Sequence, residues 1–173
     1  IIVLDIDFSL RGYDLRVAEK NLQLYHQLSG RAGRAGKPAT VYFQTFKNNS
    51  NIISQITNSD PNKFLEKELD LRRKNSLPPF ERFIAIIISG KKETKVEELS
   101  NHLKEILEKK LNARILGPVV APILKIKNNY RYRILIRSKK SENIQKNLST
   151  ILNKFKKQTE IKLVVDVDPI SFN

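Results

Sequence analysis

The pattern of apolar and polar residues divides the first part of the chain into strands and helices. Residues 1–7 form an apolar run that ends in two carboxylates, which is typical of a buried strand. After Asp14, a good N-cap, apolar residues recur at helical spacing and predict a helix over 15–29 that Gly30 ends. Residues 40–46 are β-branched and aromatic and predict a second strand. This strand, helix, loop, strand order favours a parallel α/β sheet.

The middle of the chain carries another helix and then a break. The Asp-Pro pair at 60–61 opens a helix that we expect to run to about Asn75. The sequence Leu-Pro-Pro-Phe at 77–80 interrupts the pattern, because proline cannot continue a helix. We therefore expect a domain boundary between residues 77 and 78, which gives units over 1–77 and 78–173.

The second half alternates strands and helices in a different order. The pattern predicts strands over 82–89, around Leu124, over 131–137 and over 161–167, and helices over 94–111 and 141–157. A turn is expected at Asn128-Asn129. The order β-α-β-β-α-β is that of the split-βαβ plan, one antiparallel sheet with two helices on one face. The predicted fold class is α/β: part of a parallel sheet, then a small α+β domain.

The positive net charge of the chain indicates a binding partner of opposite charge. The 173 residues include 32 Lys and Arg and 18 Asp and Glu, a formal net charge of +14. Residues 78–173 alone hold 20 basic and 10 acidic side chains. Such an excess points to a polyanion, nucleic acid before a membrane surface. The alternative is that the Lys and Asn content only reflects the composition of the genome.

Composition also excludes several classes of protein. The chain has no cysteine and two histidines, so we expect no disulfide, no cysteine zinc site and no other metal site. It has no run of eighteen apolar residues, and we expect no membrane span. A reducing, cytoplasmic setting fits this composition. Because the sequence opens within a strand and lacks methionine, we expect a piece of a longer protein.

The sharpest chemical motif is Gln-Leu-Ser-Gly-Arg-Ala-Gly-Arg at 27–34. Its glycines let the backbone turn tightly, so that two arginines three residues apart point into one gap. Guanidinium groups fork onto phosphate oxygens, and an arginine supplied by a neighbouring lobe stabilises charge on a γ-phosphate during transfer. The alternative is a glycine-rich turn whose arginines are solvated or pair with Asp5 and Asp7.

This octapeptide resembles Q-x-x-G-R-x-G-R, the sixth motif of superfamily 2 helicases. By the resemblance Arg34 is the arginine-finger candidate and Arg31 the second phosphate contact. Gln27 would lie near the γ-phosphate or the attacking water. Gly30 and Gly33 would shape the bend that faces the nucleotide.

Matches outside the motif narrow the resemblance to one family. The chain is similar to the PriA family of primosomal replication-restart helicases at 5–7, 16–20, 41–45, 78–80, 117–118, 121–122, 131–133 and 166–169. The resemblance implies that 1–77 is the end of the second RecA-like lobe of an ATP-driven 3′→5′ DNA helicase. That helicase would act in replication restart and primosome assembly.

The resemblance also implies which parts of the helicase bind the cofactors. ATP and Mg²⁺ would be held mainly by a first lobe, and zinc by cysteines, in upstream sequence that this chain does not contain. The chain has no phosphate loop of the G-x-x-x-x-G-K-[ST] type. Alone, it is expected to be inactive as an ATPase.

A second informative stretch spans residues 124–137. Apolar residues there alternate with five cations: Lys125, Lys127, Arg131, Arg133 and Arg137. Strand side chains alternate between faces, so one face should be basic. We expect core burial to set Ile126 opposite Tyr132, with Lys127 near Arg131 and Lys125 near Arg133. Like charges in such positions repel, which suggests a DNA backbone as the offsetting partner. The alternative is a solvated basic face without a function.

The resemblance implies further partners. It implies a pocket for the acidic tail of single-stranded DNA-binding protein, for which Lys139, Lys140 and Gln145 are candidates, since a helix N-terminus and lysines favour carboxylates. The alternative is that Lys139 and Lys140 only solvate a loop. DNA forks, single-stranded DNA and other primosome proteins are the remaining implied partners. A different function remains open: a non-enzymatic nucleic-acid-binding or assembly module in which residues 27–36 only grip phosphate.

Overall fold

The computed structural model describes residues 1–9, 14–32, 40–46, 60–157 and 161–170. They belong to two compact units, Ile1–Leu71 and Arg72–Asn173, and the expected boundary between residues 77 and 78 lies within the second unit. The elements are β1 (Ile2–Val3), α1 (Ile6–Ser9), α2 (Val17–Ala32), β2 (Tyr42–Phe43), α3 (Pro61–Lys74), β3 (Glu81–Gly90), α4 (Glu93–Lys110), β4 (Arg114–Ile126), β5 (Asn129–Lys139), α5 (Gln145–Lys157) and β6 (Lys162–Val167).

The first unit is built on a parallel pair of short strands. β1 pairs with β2 in parallel, as the element order predicted. A small core of Ile6, Leu22, Tyr25 and Phe64 is buried beside this pair. The edge of the Tyr25 ring meets Phe43 at a centroid distance of 5.0 Å. Apolar residues of α2 and α3 therefore supply most of the packing of this unit.

Two elements of the first unit differ in extent from the prediction. The strand expected over 1–7 ends at Val3, because Asp5 takes a left-handed φ of 49° that a strand cannot continue. Residues 6–9 form α1 instead. The strand expected over 40–46 is confined to Tyr42–Phe43.

The second unit is a four-stranded antiparallel sheet covered by two helices. The strand order is β4-β5-β3-β6, and each neighbouring pair is antiparallel. The expected order β-α-β-β-α-β is confirmed. Alternate residues of β3 and β5 bury one face of the sheet against α4 and α5. The core includes Ile84, Ile86, Ile88, Ile134, Ile136, Leu103, Leu107, Leu148, Leu152 and Phe155. Each such side chain stabilises the unit by about 1.5–3 kcal/mol when it is fully buried.

Strand β4 is much longer than the short strand expected around Leu124. It contains two prolines, Pro118 and Pro122, which cannot donate a backbone hydrogen bond to a neighbouring strand. They are tolerated because β4 is an edge strand with irregular pairing. Gly117 has a φ of 96°, and a Cβ there would lie 2.7 Å from the carbonyl oxygen of Arg133. Only glycine fits this position. The register shifts lie between Leu116 and Val119 and between Val120 and Lys125.

The last helix begins later than expected. α5 starts at Gln145, not at residue 141. The residues before it form turns, in which Glu142 N donates to Lys139 O at 3.1 Å and Ile144 N donates to Glu142 O at 3.0 Å. These short-range bonds leave Ile144 buried in the core at the start of the helix.

Candidate nucleic-acid interface

The arginine motif begins within a helix. α2 continues through Gly30 to Ala32, so the expectation that Gly30 ends the helix and forms a bend is wrong. A glycine inside a helix costs about 1 kcal/mol relative to alanine, which the helix tolerates. A Cβ on Gly30 would meet nothing within 4 Å, so packing does not require glycine there. Gln27 and Arg31 are exposed one turn apart, on the same face of α2. Gly33 and Arg34 lie outside the described residues.

Asp7 has its partners in the segment that follows β2. Its carboxylate is buried and accepts hydrogen bonds from Thr45 Oγ1 at 3.0 Å and from Phe46 N at 2.7 Å. Arg31, by contrast, is exposed in the last turn of α2. A cation in that position is favourable because the last turn carries the negative end of the helix dipole. The hydrogen bonds from Thr45 and Phe46 give Asp7 a structural role, because they link α1 to the segment after β2.

Strand β5 sorts its residues by face, as expected. Tyr132, Ile134 and Ile136 are buried toward the helices. Arg131 and Arg133 alternate with them on the opposite, half-buried face of the sheet. Arg133 also lines a small cavity of about 200 Å³ with apolar neighbours on β4 and β5. The alternation of β5 therefore follows from the sequence pattern, although its cations are not equally accessible.

The hairpin that joins β4 to β5 has a different register from the expected one. Its turn residues are Lys127 and Asn128, with φ values of 48° and 63°. Two left-handed residues are what a tight two-residue hairpin turn requires, and asparagine tolerates that conformation well. Ile126 pairs with Asn129, and Tyr132 pairs with Val120. The predicted Ile126–Tyr132 pair is therefore wrong.

The observed register also removes the predicted repulsion between cations. Lys125 pairs with Tyr130, Lys127 lies in the turn, and Arg133 pairs with Val119. The long bulge in β4 absorbs the mismatch and keeps apolar residues on the core face. Repulsion between facing cations therefore does not indicate a polyanion, whereas the exposure of the cations does.

The hairpin end presents its cations outward. Lys125 and Lys127 are exposed, and Arg131 is half-buried. Lys125 Nζ lies 4.7 Å from the centre of the Tyr130 ring, a cation–π contact. Arg131 Nη1 donates to the neutral carbonyl of Ile123 at 3.5 Å. The described contacts of these cations thus leave their positive charges uncompensated by carboxylates.

Arg137 has a different environment at the other end of β5. Its Nε donates to Glu81 Oε2 at 2.5 Å, and its Nη2 donates to Asn75 O at 2.8 Å. Its guanidinium also lies 5.8 Å from the centre of the Phe83 ring. Both partners of the ion pair are about four-fifths buried. Arg137 therefore anchors β5 to β3 and to the residues after α3.

The three predicted partner-binding residues lie in two different places. Lys139 lines a polar pocket of about 470 Å³, together with Arg114 and Glu142. Lys140 is exposed in the following turn. Gln145 lines a separate apolar groove of about 340 Å³ between α5 and β6, beside Leu148 and Val165. The structure therefore does not bring Lys139 and Gln145 into one pocket.

Near the hairpin, the surroundings of Tyr132 raise the pKa of its phenol. Burial raises the pKa of its phenol, and the carboxylates of Glu97 and Glu93 raise it further. A hydrogen bond with Glu97 adds to the same effect. The neutral phenol is therefore favoured, and it fixes the start of α4 against β5.

The described part of the chain has neither a cluster of metal ligands nor a membrane-spanning helix. No group of three or more His, Cys, Asp and Glu residues there is placed to hold a metal ion. None of the described helices is both long and apolar enough to span a bilayer.

The fold and the charged hairpin define a basic α/β protein with a split-βαβ unit. The chain belongs to the family described as the primosomal protein N C-terminal domain, whose model matches residues 73–170. The resemblance inferred from the sequence is thereby confirmed. A replication restart protein PriA from Rickettsia conorii is 37% identical over 170 residues, and one from Bacillus subtilis is 34% identical over 172 residues.

These relatives are much longer than the chain. The two alignments cover 98% and 96% of this chain but 26% and 21% of the relatives, so it spans about a quarter of their length. Among solved structures, a de novo designed protein, Foldit4, covers 51% of this chain at 21% identity and a TM-score of 0.41. The alignment covers 97% of the designed chain, and the likeness is too low to support an argument.

Proposed function

We propose that the chain is part of a replication restart protein that acts on DNA in primosome assembly. The observation that carries this proposal is the family match over residues 73–170. Relatives named for replication restart align along nearly the whole chain, which supports the same role for the first unit. DNA forks, single-stranded DNA and other primosome proteins are the proposed partners.

Within this role, the second unit contacts the phosphates of nucleic acid through the β4–β5 hairpin. Lys125, Lys127 and Arg131 supply the charge, because they are the cations of the β4–β5 hairpin that reach solvent at its tip. Arg137 is not part of the contact, since Glu81 already compensates its charge. The contact reads no base sequence, because lysine and arginine at a hairpin tip bind phosphate oxygens.

A salt titration tests the hairpin. We compare the 173-residue chain with a hairpin variant, Lys127→Asn with Arg131→Gln, in which asparagine preserves the left-handed turn. The control, Lys109→Ser with Lys110→Ser, removes the same charge from exposed positions at the end of α4. Each lost contact to a single strand should lower the salt slope by about 0.7. The hairpin variant should therefore lose about 1.4 in slope and bind about 25-fold more weakly near 0.1 M salt.

Binding is measured by fluorescence anisotropy with a labelled single-stranded oligonucleotide of about 16 nucleotides. The control should keep the slope of the unchanged chain. Equal affinities of the hairpin variant and the control at low salt would reject the hairpin as the contact.

We propose further that the first unit is the end of the second RecA-like lobe of an ATP-dependent 3′→5′ DNA helicase. Arg34 would be its arginine finger and Arg31 the second phosphate contact, with Gln27 beside the reacting phosphate. ATP and Mg²⁺ would be bound mainly by another lobe, and zinc by a further domain. The exposure of Gln27 and Arg31 on one face of α2 supports this proposal.

The arginine-finger role of Arg34 is tested in the protein as the cell produces it, and not in the 173-residue chain. Arg34→Ala should abolish DNA-stimulated ATP hydrolysis while DNA affinity stays unchanged. The loss of one transition-state arginine should cost about 10³-fold or more in turnover. Lys67→Ala, at an exposed position of α3, serves as the control and should hydrolyse ATP normally. Normal turnover by Arg34→Ala would reject the finger role.

A second function has one observation in its favour. α2 continues past Gly30, so Arg31 lies on a helix and not on a glycine bend. That geometry also suits a non-enzymatic module in which residues 27–36 grip phosphate. Such a module predicts that Arg34→Ala weakens DNA binding and that the gene product does not hydrolyse ATP.

The acidic tail of single-stranded DNA-binding protein is kept as a proposed partner of the second unit. Lys139, Lys140 and Gln145 are its proposed contacts, although Lys139 and Gln145 line different pockets. Lys139→Ser and Gln145→Ala, each compared with the unchanged chain for binding of an acidic peptide, separate the two pockets.

A further inference from the structure

Four lysines converge on one pocket at the hairpin end of the sheet. Lys91 and Lys92 lie between β3 and α4, Lys95 lies in the first turn of α4, and Lys162 begins β6. Together with Asn129 of the hairpin, they line an open pocket of about 510 Å³. The fold brings them together, because Lys162 is about seventy positions from the others in the sequence.

The charge of this pocket has one sign. Its ionisable lining residues are the four lysines, and no carboxylate is among the side chains that line it in the described part of the chain. Its floor includes Val96 and Ile161, which are buried. Lys91, Lys92 and Lys162 are exposed around this opening, so all three attract an anion that enters the pocket. Glu93 and Glu97, at the start of α4, interact with the phenol of Tyr132.

Strand pairing makes the pocket continuous with the hairpin. Ser89 of β3 pairs with Lys162 on one side and with Arg131 on the other. Gly90 pairs with Tyr130, the aromatic residue that Lys125 contacts. Neighbouring strands are about 4.8 Å apart, so the pocket and the hairpin tip lie along the same end of one sheet. A single polyanion can therefore contact both.

We propose that this lysine pocket is a second phosphate site, which holds the backbone of the same nucleic-acid strand that contacts the hairpin. The inference rests on the proposed nucleic-acid contact and extends it from the tip of the hairpin across the ends of β3 and β6. Exposed ammonium groups recognise phosphodiester charge and not base identity. The path across the sheet end should therefore be independent of sequence and sensitive to salt.

The test uses a pocket variant, Lys91→Ser with Lys92→Ser, in the 173-residue chain. Lys92 is the N-cap residue of α4 and makes no side-chain capping bond, so serine there should improve the cap and keep the helix. The matched control is again Lys109→Ser with Lys110→Ser, an adjacent exposed pair at the other end of the same helix. An 18-residue helix is about 27 Å long, so the control removes charge far from the pocket.

The probe is the labelled single-stranded oligonucleotide used for the hairpin, titrated at several salt concentrations. The pocket variant should lose about 1.4 in salt slope and bind about 25-fold more weakly near 0.1 M salt. Lys91→Arg with Lys92→Arg should restore the slope, because the site requires charge and not lysine geometry. The control should bind as the unchanged chain does.

The outcomes separate the pocket from the hairpin. If the pocket variant binds like the control while the hairpin variant is weakened, the pocket is overturned and the hairpin contact stands. If the pocket variant alone is weakened, the pocket stands and the hairpin is rejected. If the unchanged chain does not bind the probe at low salt, both are overturned.

Discussion

The cations at the two ends of the four-stranded sheet have different surroundings. At the hairpin end, Lys125, Lys127 and Arg131 lie beside a pocket lined by lysines. At the opposite end, Arg137 pairs with Glu81 at 2.5 Å, and Arg82 lies 3.5 Å from Asp168. Strand β5 supplies a basic residue to each end.

The difference teaches that charge along a sequence does not by itself locate a binding surface. Arg131 and Arg137 lie on the same strand and the same face, six residues apart. One donates to a neutral carbonyl and the other to a carboxylate. Loss of a paired guanidinium leaves its buried carboxylate without a partner and destabilises the fold. A cation without a carboxylate partner can instead offset the charge of a polyanion.

The largest expected effect is a loss of stability when β4, which runs along the edge of the sheet, is distorted. Gly117→Ala places a Cβ against the carbonyl oxygen of Arg133, at a φ that alanine rarely adopts. We expect the free energy of unfolding of the second unit to fall by about 3 kcal/mol. Urea unfolding measures this loss. Gly30→Ala, in open space within α2, should instead raise the stability of the first unit by about 0.5–1 kcal/mol. An unchanged unfolding midpoint for Gly117→Ala would contradict the geometry of β4.

A smaller effect should separate stability from binding at the paired end. Arg137→Ala removes the partner of a largely buried carboxylate, Glu81, and two hydrogen bonds. We expect the free energy of unfolding to fall by about 2 kcal/mol. DNA affinity should change by less than about twofold, since no phosphate contact is lost. A loss of affinity as large as that of the hairpin variant would show that both ends bind DNA.

The smallest effect concerns pH at the hairpin end. Because the folded state raises the pKa of Tyr132 above 10.0 by burial and by the nearby Glu97, the folded state retains the phenolic proton longer than the unfolded chain. This contribution to stability is complete below pH 10.0 and is lost as pH rises through the folded pKa. Thermal unfolding at several alkaline pH values should therefore show a steeper loss for the unchanged chain than for Tyr132→Phe. Parallel curves for the two proteins would contradict the assignment.

Periodicity predicted the second unit well because its core is built by local alternation. Ile84, Ile86 and Ile88 of β3 and the apolar stripe of α4 appear in the sequence at the spacings that place them on one face. The hairpin register could not be obtained in this way. An edge strand with bulges absorbs extra residues, so alternation in β4 does not fix which residue faces Tyr132.

The candidate sites were predicted less completely than the fold. The sequence indicated a basic β5, but the partner that neutralises Arg137 lies 56 residues away at Glu81. The lysine pocket was missed because β6 brings Lys162 to the β3–α4 junction only after the sheet has formed. The sequence places the end of α2 before Gly30, because glycine often ends a helix, but this helix tolerates one glycine and continues to Ala32.

One measurement tests the central claim, that the hairpin end of the sheet is the nucleic-acid surface. The backbone amides of the 173-residue chain are followed by NMR while an unlabelled oligonucleotide of about 16 nucleotides is added. The largest shifts should fall on residues 89–95, 125–131 and 161–163, with little change around Glu81 and Arg137. Shifts that cluster at Glu81 and Arg137, or that are absent at low salt, would contradict the claim.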